Sequence, residues 1–278
     1  MINVKRFYSF SDFYAYNSDF MDSNRMLNTF LIRQMNEVLD GKTEAYNFFN
    51  IEDTRKTHLI VLIIPDLCLI YANQYYSDLI PFLSKEIEFH RFLRFTFAGT
   101  KSIIENLLEF NNARYSIKKH LIIYKCDKVS INFKYSSGNL KLASINDLDS
   151  LIRFHISFIR EYYKDEKDFE SAKDYIIRGI ENKNLYTWQF QNQLCSVAQV
   201  ISREKNDYPE ISHVYTEPRL RKQGFAPSLV HSLTDILLKN GNEKCMLYTN
   251  GNNSASNRAF RKIGYAKTGE YILCFKEK

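Results

Sequence analysis

The sequence predicts a two-domain chain of mixed α/β class, and three observations carry that reading. β-branched and aromatic runs of strand length alternate with apolar-periodic stretches of helix length, as in layered α/β structure. The polar segment Asn132-Phe133-Lys134-Tyr135-Ser136-Ser137-Gly138-Asn139 interrupts the alternation with a turn signal and puts a boundary near residue 136. In the second half, a β-type run ending Val214-Tyr215-Thr216 stops at Pro218 and passes through a basic loop with one glycine, Arg219-Leu220-Arg221-Lys222-Gln223-Gly224, into an apolar-periodic helix. That order suits an anion site. The strand delivers the chain, the glycine lets backbone approach, and the first free amides of the helix point at the ligand. Arg219, Arg221 and Lys222 add positive charge there.

The elements follow in order. Residues 24–39 have helical apolar spacing, with Asp40-Gly41 as the stop. Residues 59–64, Leu-Ile-Val-Leu-Ile-Ile, read as a strand buried on both faces, with a second strand over 67–71. A helix is expected over 77–89, a strand over 92–97, a helix over 101–110 and a strand over 120–124. Together these make a smaller N-terminal α/β domain, 1–135. In the second domain, 136–278, a strand over 140–145 precedes Asn146 and Asp147, which can cap a helix over 148–163. A helix over 169–181 follows, then a hairpin of 185–190 and 195–201. The strand 211–215 leads through the basic loop into a helix over 227–239, with Pro227 in its first turn and Gly241 at its end. A strand over 245–248, a helix over 256–263 ended by Gly264, and a strand over 271–275 complete the chain. No internal repeat is legible.

Composition bounds the function. The 278 residues suffice for two ordinary domains, and 45% hydrophobic with 25% charged residues is normal for a globular protein. The formal charge of +6 comes without dense Lys/Arg clusters, which argues against a nucleic-acid partner and suits equally a polyanionic cofactor or a basic surface with no partner meaning. The five cysteines, Cys68, Cys126, Cys195, Cys245 and Cys274, form no metal-ligand spacing and sit among apolar residues. They read as buried free thiols, which places the chain in the cytoplasm. The six scattered histidines give no metal site. The longest apolar run is too short to span a membrane, and the N-terminus lacks a signal-peptide core.

The segment Arg221-Lys222-Gln223-Gly224-Phe225-Ala226 has the form Arg/Gln-x-x-Gly-x-Gly/Ala. Downstream, Asn253-Ser254-Ala255-Ser256-Asn257-Arg258-Ala259-Phe260-Arg261-Lys262-Ile263-Gly264-Tyr265 follows Asn-x-x-Ala/Ser-x-x-x-Tyr-x-Lys-x-Gly-Phe/Tyr, with Phe260 at the tyrosine. In this order the two blocks resemble the GCN5-related N-acetyltransferase (GNAT) superfamily over about residues 140–278. Val214-Tyr215-Thr216, Leu247-Tyr248-Thr249 and Lys262-Ile263-Gly264-Tyr265 resemble a bacterial branch with an extra N-terminal domain.

The resemblance implies a mixed, largely antiparallel sheet flanked by helices, and acetyl-CoA-dependent transfer to a primary amine in a ternary complex. It implies that the amides of Arg221, Lys222, Gln223, Gly224, Phe225 and Ala226 bind the pyrophosphate. The backbone of the strand end Val214-Tyr215-Thr216 would pair with the pantetheine arm. Asn253 would bind the cofactor, with Asn257 in the same cleft; as plain residues both also read as turn and cap positions. The thioester would lie where the strands of Val214 and Leu247 diverge. The acceptor would be a small-molecule or peptide amine.

Candidate catalytic groups are Glu210, which competes with a solvated strand end, and His213, which competes with a packed strand residue. Phe260 removes the usual tyrosine acid. Either another group protonates the thiolate, or water does, or the domain has lost this chemistry; Tyr248 and Tyr265 are nearby in sequence, Tyr248 a candidate donor and Tyr265 standing at the family's core aromatic position. Cys245 reads as a core thiol. The run Asp165-Glu166-Lys167-Asp168 reads as a solvated loop or helix start, or else as a rim drawing a cationic substrate. The rivals are a non-catalytic acyl-CoA-binding or regulatory module and transfer of another acyl group.

Overall fold

In the computed structural model, which describes residues 2–23, 25–74, 77–201 and 208–277, the chain forms two compact units. The first comprises Met1–Ile123, Asn250–Asn252 and Gly269–Lys278; the second comprises Tyr124–Thr249 and Asn253–Thr268.

The first unit runs β1 (Ile2–Arg6), α1 (Phe10–Tyr16), α2 (Ser18–Ser23), α3 (Arg25–Leu39), β2 (Asn47–Asp53), β3 (His58–Ile64), β4 (Leu67–Ala72), α4 (Leu79–Glu86), β5 (Phe95–Thr100), α5 (Lys101–Phe110) and β6 (Tyr115–Cys126). Strands β1 to β4 form an antiparallel meander, and β5 joins β4 in parallel. The chain's last residues, Tyr271–Lys276, add antiparallel to β5. The apolar run of β3 has a direct cause. Leu59, Val61 and Ile63 face the core that includes α4 and α5, while Ile60, Leu62 and Ile64 face the core of α1 and α3. A strand covered on both faces cannot alternate in polarity.

The second unit runs β7 (Asn139–Leu142), α6 (Leu148–Phe158), a π turn at Ile159–Tyr163, α7 (Phe169–Glu181), β8 (Leu185–Phe190), β9 (Gln193–Ile201), β10 (Glu210–Thr216), α8 (Phe225–Lys239), β11 (Cys245–Asn250), α9 (Ser254–Ile263) and β12 (Ala266–Lys276). Strands β7 to β10 are antiparallel, and β10 meets β11 in parallel. Helix α8 forms because Leu229, Val230 and Leu233 recur on one face and become fully buried. This is the mixed, largely antiparallel α/β architecture that the sequence predicts.

Several elements differ from expectation. The helix expected over 148–163 is α-helical only to Phe158, then widens into the π turn. The strand expected over 140–145 ends at Leu142, and Ile145–Asp147 is a 3-10 turn fixed by a Ser144/Asp147 capping box. The strand expected over 92–97 is shifted to Phe95–Thr100. Strands β1 and β2 and helices α1 and α2 carry too few alternating or periodic apolar residues to stand out. Residue 24, the expected start of α3, lies outside the described residues. The segment read as a linker is packed: Tyr135 Oη lies 2.7 Å from His231 Nδ1, and Ser136 N donates to Ser228 Oγ of α8.

The sequence shows no repeat, yet the topology repeats. Each unit runs strand, helical stretch, three antiparallel strands, helix, parallel strand, helix, strand.

Candidate functional site

Strand β10 is irregular where it matters. Ser212 stands opposite Gln199 and Tyr215 opposite Val197, so two residues of β10, His213 and Val214, face one residue of β9. His213 takes the left-handed conformation, φ 49°, that this bulge requires. On the other side, β10 holds β11 in register only at Glu210 and Met246. Beyond that point the two strands part, so Val214 has no register partner on either neighbour.

The basic loop follows at once. Pro218–Leu220 is a 3-10 turn, Lys222 is left-handed at φ 65°, and Gly224 is left-handed at φ 82° as N-cap of α8. Glycine is suited to that position because it takes positive φ without a Cβ penalty. Among the described residues, the amide N–H groups of Lys222, Gln223, Gly224, Phe225 and Ala226 have no hydrogen-bond partner. Five donors at one helix start form an anion cradle. The arginines act differently from the expectation of added charge at the phosphates. Arg219 pairs with Glu217 at 2.6 Å. Arg221 turns back: its Nε donates to Thr216 O at 3.0 Å, and its Nη2 reaches Glu161 Oε2 at 2.7 Å. Tyr215 Oη donates to the same carboxylate at 3.0 Å. Arg221 therefore clamps the loop to the end of β10 and to the π turn.

His213 points into a cavity of about 650 Å³ lined by His155, Ile159, Tyr163, Lys164, Asp165, Lys167, Tyr175 and His213. Its ring lies 4.8 Å from Phe158 and 5.5 Å from Tyr175. Tyr175 stacks on His155 at 4.2 Å and donates its hydroxyl to Gln199 Oε1. Burial, and then His155, pulls the His213 imidazolium down to about 4. Burial and then Lys167 lower His155 as well, and burial pushes Tyr175 up to about 12. Both imidazoles are therefore neutral at neutral pH. Glu210 lies near enough to Tyr162 and Tyr163 to add to the rise that burial imposes on those phenols. Tyr248 sits half-buried on β11, two residues past the last partner of β10.

The downstream block is mainly a helix cap. Asn253 Oδ1 accepts from Ser256 N at 3.0 Å, the cap reading. Asn257 is buried, donates Nδ2 to Asn253 O at 2.8 Å and accepts from Tyr124 Oη at 3.1 Å. Phe260 packs between Tyr124 and Tyr265. Tyr265 Oη lies 2.9 Å from Thr234 Oγ1 inside the core. Cys245 is buried, with its thiol pushed up to about 12 by burial.

The structure thus gathers Glu210, His213, Val214 and the 221–226 loop along one strand and its exit. Residues that sequence reasoning missed are His155, Glu161, Tyr163, Lys164, Tyr175 and Gln199. The aromatic and basic density of 158–167 is the one sequence signal for Glu161, Tyr163 and Lys164, and His155, Tyr175 and Gln199 carry none. Asp168 is the N-cap of α7, accepting from Ser171 N, while Asp165 and Lys167 line the cavity. Lys164 lines it beside them.

Residues 190–273 match the family model described as FR47-like protein. No curated protein matches the chain. In structure it is similar to an acetyltransferase from the GNAT family of Colwellia psychrerythraea, with TM-score 0.55 and 15% identity over 99% of this chain and 100% of that one. It is also similar to a GCN5-related N-acetyltransferase from Sphaerobacter thermophilus, with TM-score 0.54 and 12% identity over 87% of this chain and 85% of that one. At these identities the likeness to solved structures is one of fold. No helix among the described residues is long and apolar enough to cross a membrane.

Proposed function

We propose, on the premise that this chain belongs to the GCN5-related N-acetyltransferase superfamily, that its second unit binds acetyl-CoA and transfers the acetyl group to a primary amine held in the His213 cavity. The observation that carries this reading is the parting of β10 from β11 directly before a loop with five unpartnered amides. The residues present fit the cofactor. The cradle at α8 suits a pyrophosphate, and the unpaired backbone of Val214 suits an amide-bearing arm.

When bound, acetyl-CoA supplies the acyl carbon: a C–N bond forms as the C–S bond breaks, the nitrogen loses a proton and the sulfur gains one. The chain's own residues supply positioning and proton acceptance. His213, neutral and too weak a base to deprotonate an alkylammonium, accepts a hydrogen bond from the amine. Glu210 takes the proton. Phe260 has no proton to give, so Tyr248, on the strand that diverges, is the hydroxyl assigned to the leaving group. Arg221 and Glu161 hold the cradle.

Isothermal titration with acetyl-CoA tests the cofactor reading; no binding at millimolar concentration overturns it. A second reading, a non-catalytic acyl-CoA-binding module, is favoured by the buried Phe260. Thiol release with an amine panel separates the two, since turnover with any amine removes the second. The same assay with longer acyl-CoAs tests transfer of another acyl group.

A further inference from the structure

We infer that the acceptor is an acidic aromatic amine, a flat ring that bears an amino group and a carboxylate or similar anion. The inference rests on the acyltransferase reading above and adds the substrate class.

Three local irregularities converge on the cavity. His213 is left-handed at its bulge, Ile159–Tyr163 is a π turn, and Lys164 is left-handed at φ 58°. Each departs from the regular backbone, and departures of this kind gather where side chains must be aimed. What they aim is specific. Four of the eight lining residues, His155, Tyr163, Tyr175 and His213, carry rings. The His155/Tyr175 stack, tilted by only 17°, makes a flat wall, and Phe158 backs His213. Flat aromatic walls select flat ligands. The volume of about 650 Å³ is within the range for small-molecule sites and holds a substituted ring with room for the acyl donor.

Lys164 and Lys167 line the cavity, and, after the hydrogen bonds from Ser171, Lys167 also helps to hold the neighbouring Asp168 carboxyl down. Asp165 is the single lining acid, and its carboxylate already accepts from Glu166 N at 2.8 Å. A simple alkylamine or a polyamine would face two lysines against one lining carboxylate, whereas an anionic substituent pairs with a lysine. His213 lines the same cavity as an acceptor, and neither imidazole carries a charge that repels an amine. An aromatic amine arrives unprotonated, so an imidazole acceptor suffices until the proton leaves for Glu210.

Ligand-observed NMR without cofactor tests the class, using 4-aminobenzoate, aniline and 6-aminohexanoate. The expected result is 4-aminobenzoate binding at least about tenfold tighter than either control. That preference should collapse in K164E/K167E and weaken in K164A/K167A, with acetyl-CoA titration unchanged. Equal binding of the three, binding of none, or a preference that survives charge reversal overturns the inference. If acetyl-CoA titrates and 4-aminobenzoate does not bind, the acceptor class falls and the cofactor reading stands. If 4-aminobenzoate binds and acetyl-CoA does not, the cofactor reading falls and the cavity's selectivity stands.

Discussion

His213 shows how a residue's identity, backbone and charge are tied together. A left-handed non-glycine residue costs roughly 1 kcal/mol or more, and here the bulge against β9 holds it. Its burial has a consequence for stability. The folded imidazole binds its proton more weakly than the unfolded one, with a value of about 4 in the fold. Between that value and about 6.5, the unfolded chain holds more protons, so stability falls as pH falls through this window and is unaffected above it. Urea midpoints measured at about pH 7.5 and about pH 4.5 check this: the difference between them should shrink in His213→Gln. An undiminished difference would assign the acid sensitivity to His155 and His58, which burial also lowers. At Gly224 the argument is steric. A β-branched residue at φ 82° strains the cradle, so Gly224→Val should weaken acetyl-CoA binding at least about tenfold by titration while the far-ultraviolet circular dichroism stays native.

The unit formed by β10, the loop and α8 was legible from sequence because each part has a local cause. A β-branched run makes the strand, Pro218 ends it, Gly224 supplies positive φ, and apolar periodicity makes α8. The π turn and the bulge were not legible, because tertiary contacts around the cavity impose them and no residue type demands them. The Arg221 clamp was hidden for a similar reason, since Glu161 is sixty positions away. The clamp gives a prediction at this scale. The Arg221–Glu161 pair is about two-fifths exposed on both sides, so a double-mutant cycle with Arg221→Gln and Glu161→Gln should give a stability coupling below ~1 kcal/mol. Both single variants should nevertheless weaken acetyl-CoA binding several-fold, because Arg221→Gln removes the tie to Thr216 O and both weaken the tie to the π turn. Arg221→Glu should weaken it further by placing an anion near the cradle. Unchanged affinity in all three variants would remove the clamp from the account.

The repeated topology sets one unit against the other, and the difference lies in the parallel strand pair. In the second unit β10 and β11 share one register pair and then part. In the first, β4 and β5 stay paired through Leu67/Thr96, Cys68/Phe97, Leu69/Ala98 and Ile70/Gly99. Gly99 makes that closure possible: a Cβ there would lie 1.8 Å from Ile70 O, and its φ is 142°. The start of α4 also differs from that of α8, since Asp78 stands at its N-cap with Arg55 against it at 3.1 Å. A carboxylate at a helix start occupies the place that favours an anion. The apolar period that betrays a repeat is lost because β4 is buried on both faces while its counterpart β10 is not. The closed pair means the first unit offers no strand backbone to a pantetheine arm. Titration of the whole chain should therefore give one acetyl-CoA per chain, and Gly224→Val should remove that single event without revealing another. A stoichiometry of two, or residual binding of full affinity in Gly224→Val, would place a second site in the first unit. Gly99→Ala tests the closure independently: forcing the strands apart should cost about 3 kcal/mol in urea unfolding, because the new methyl meets backbone that cannot yield as a side chain does.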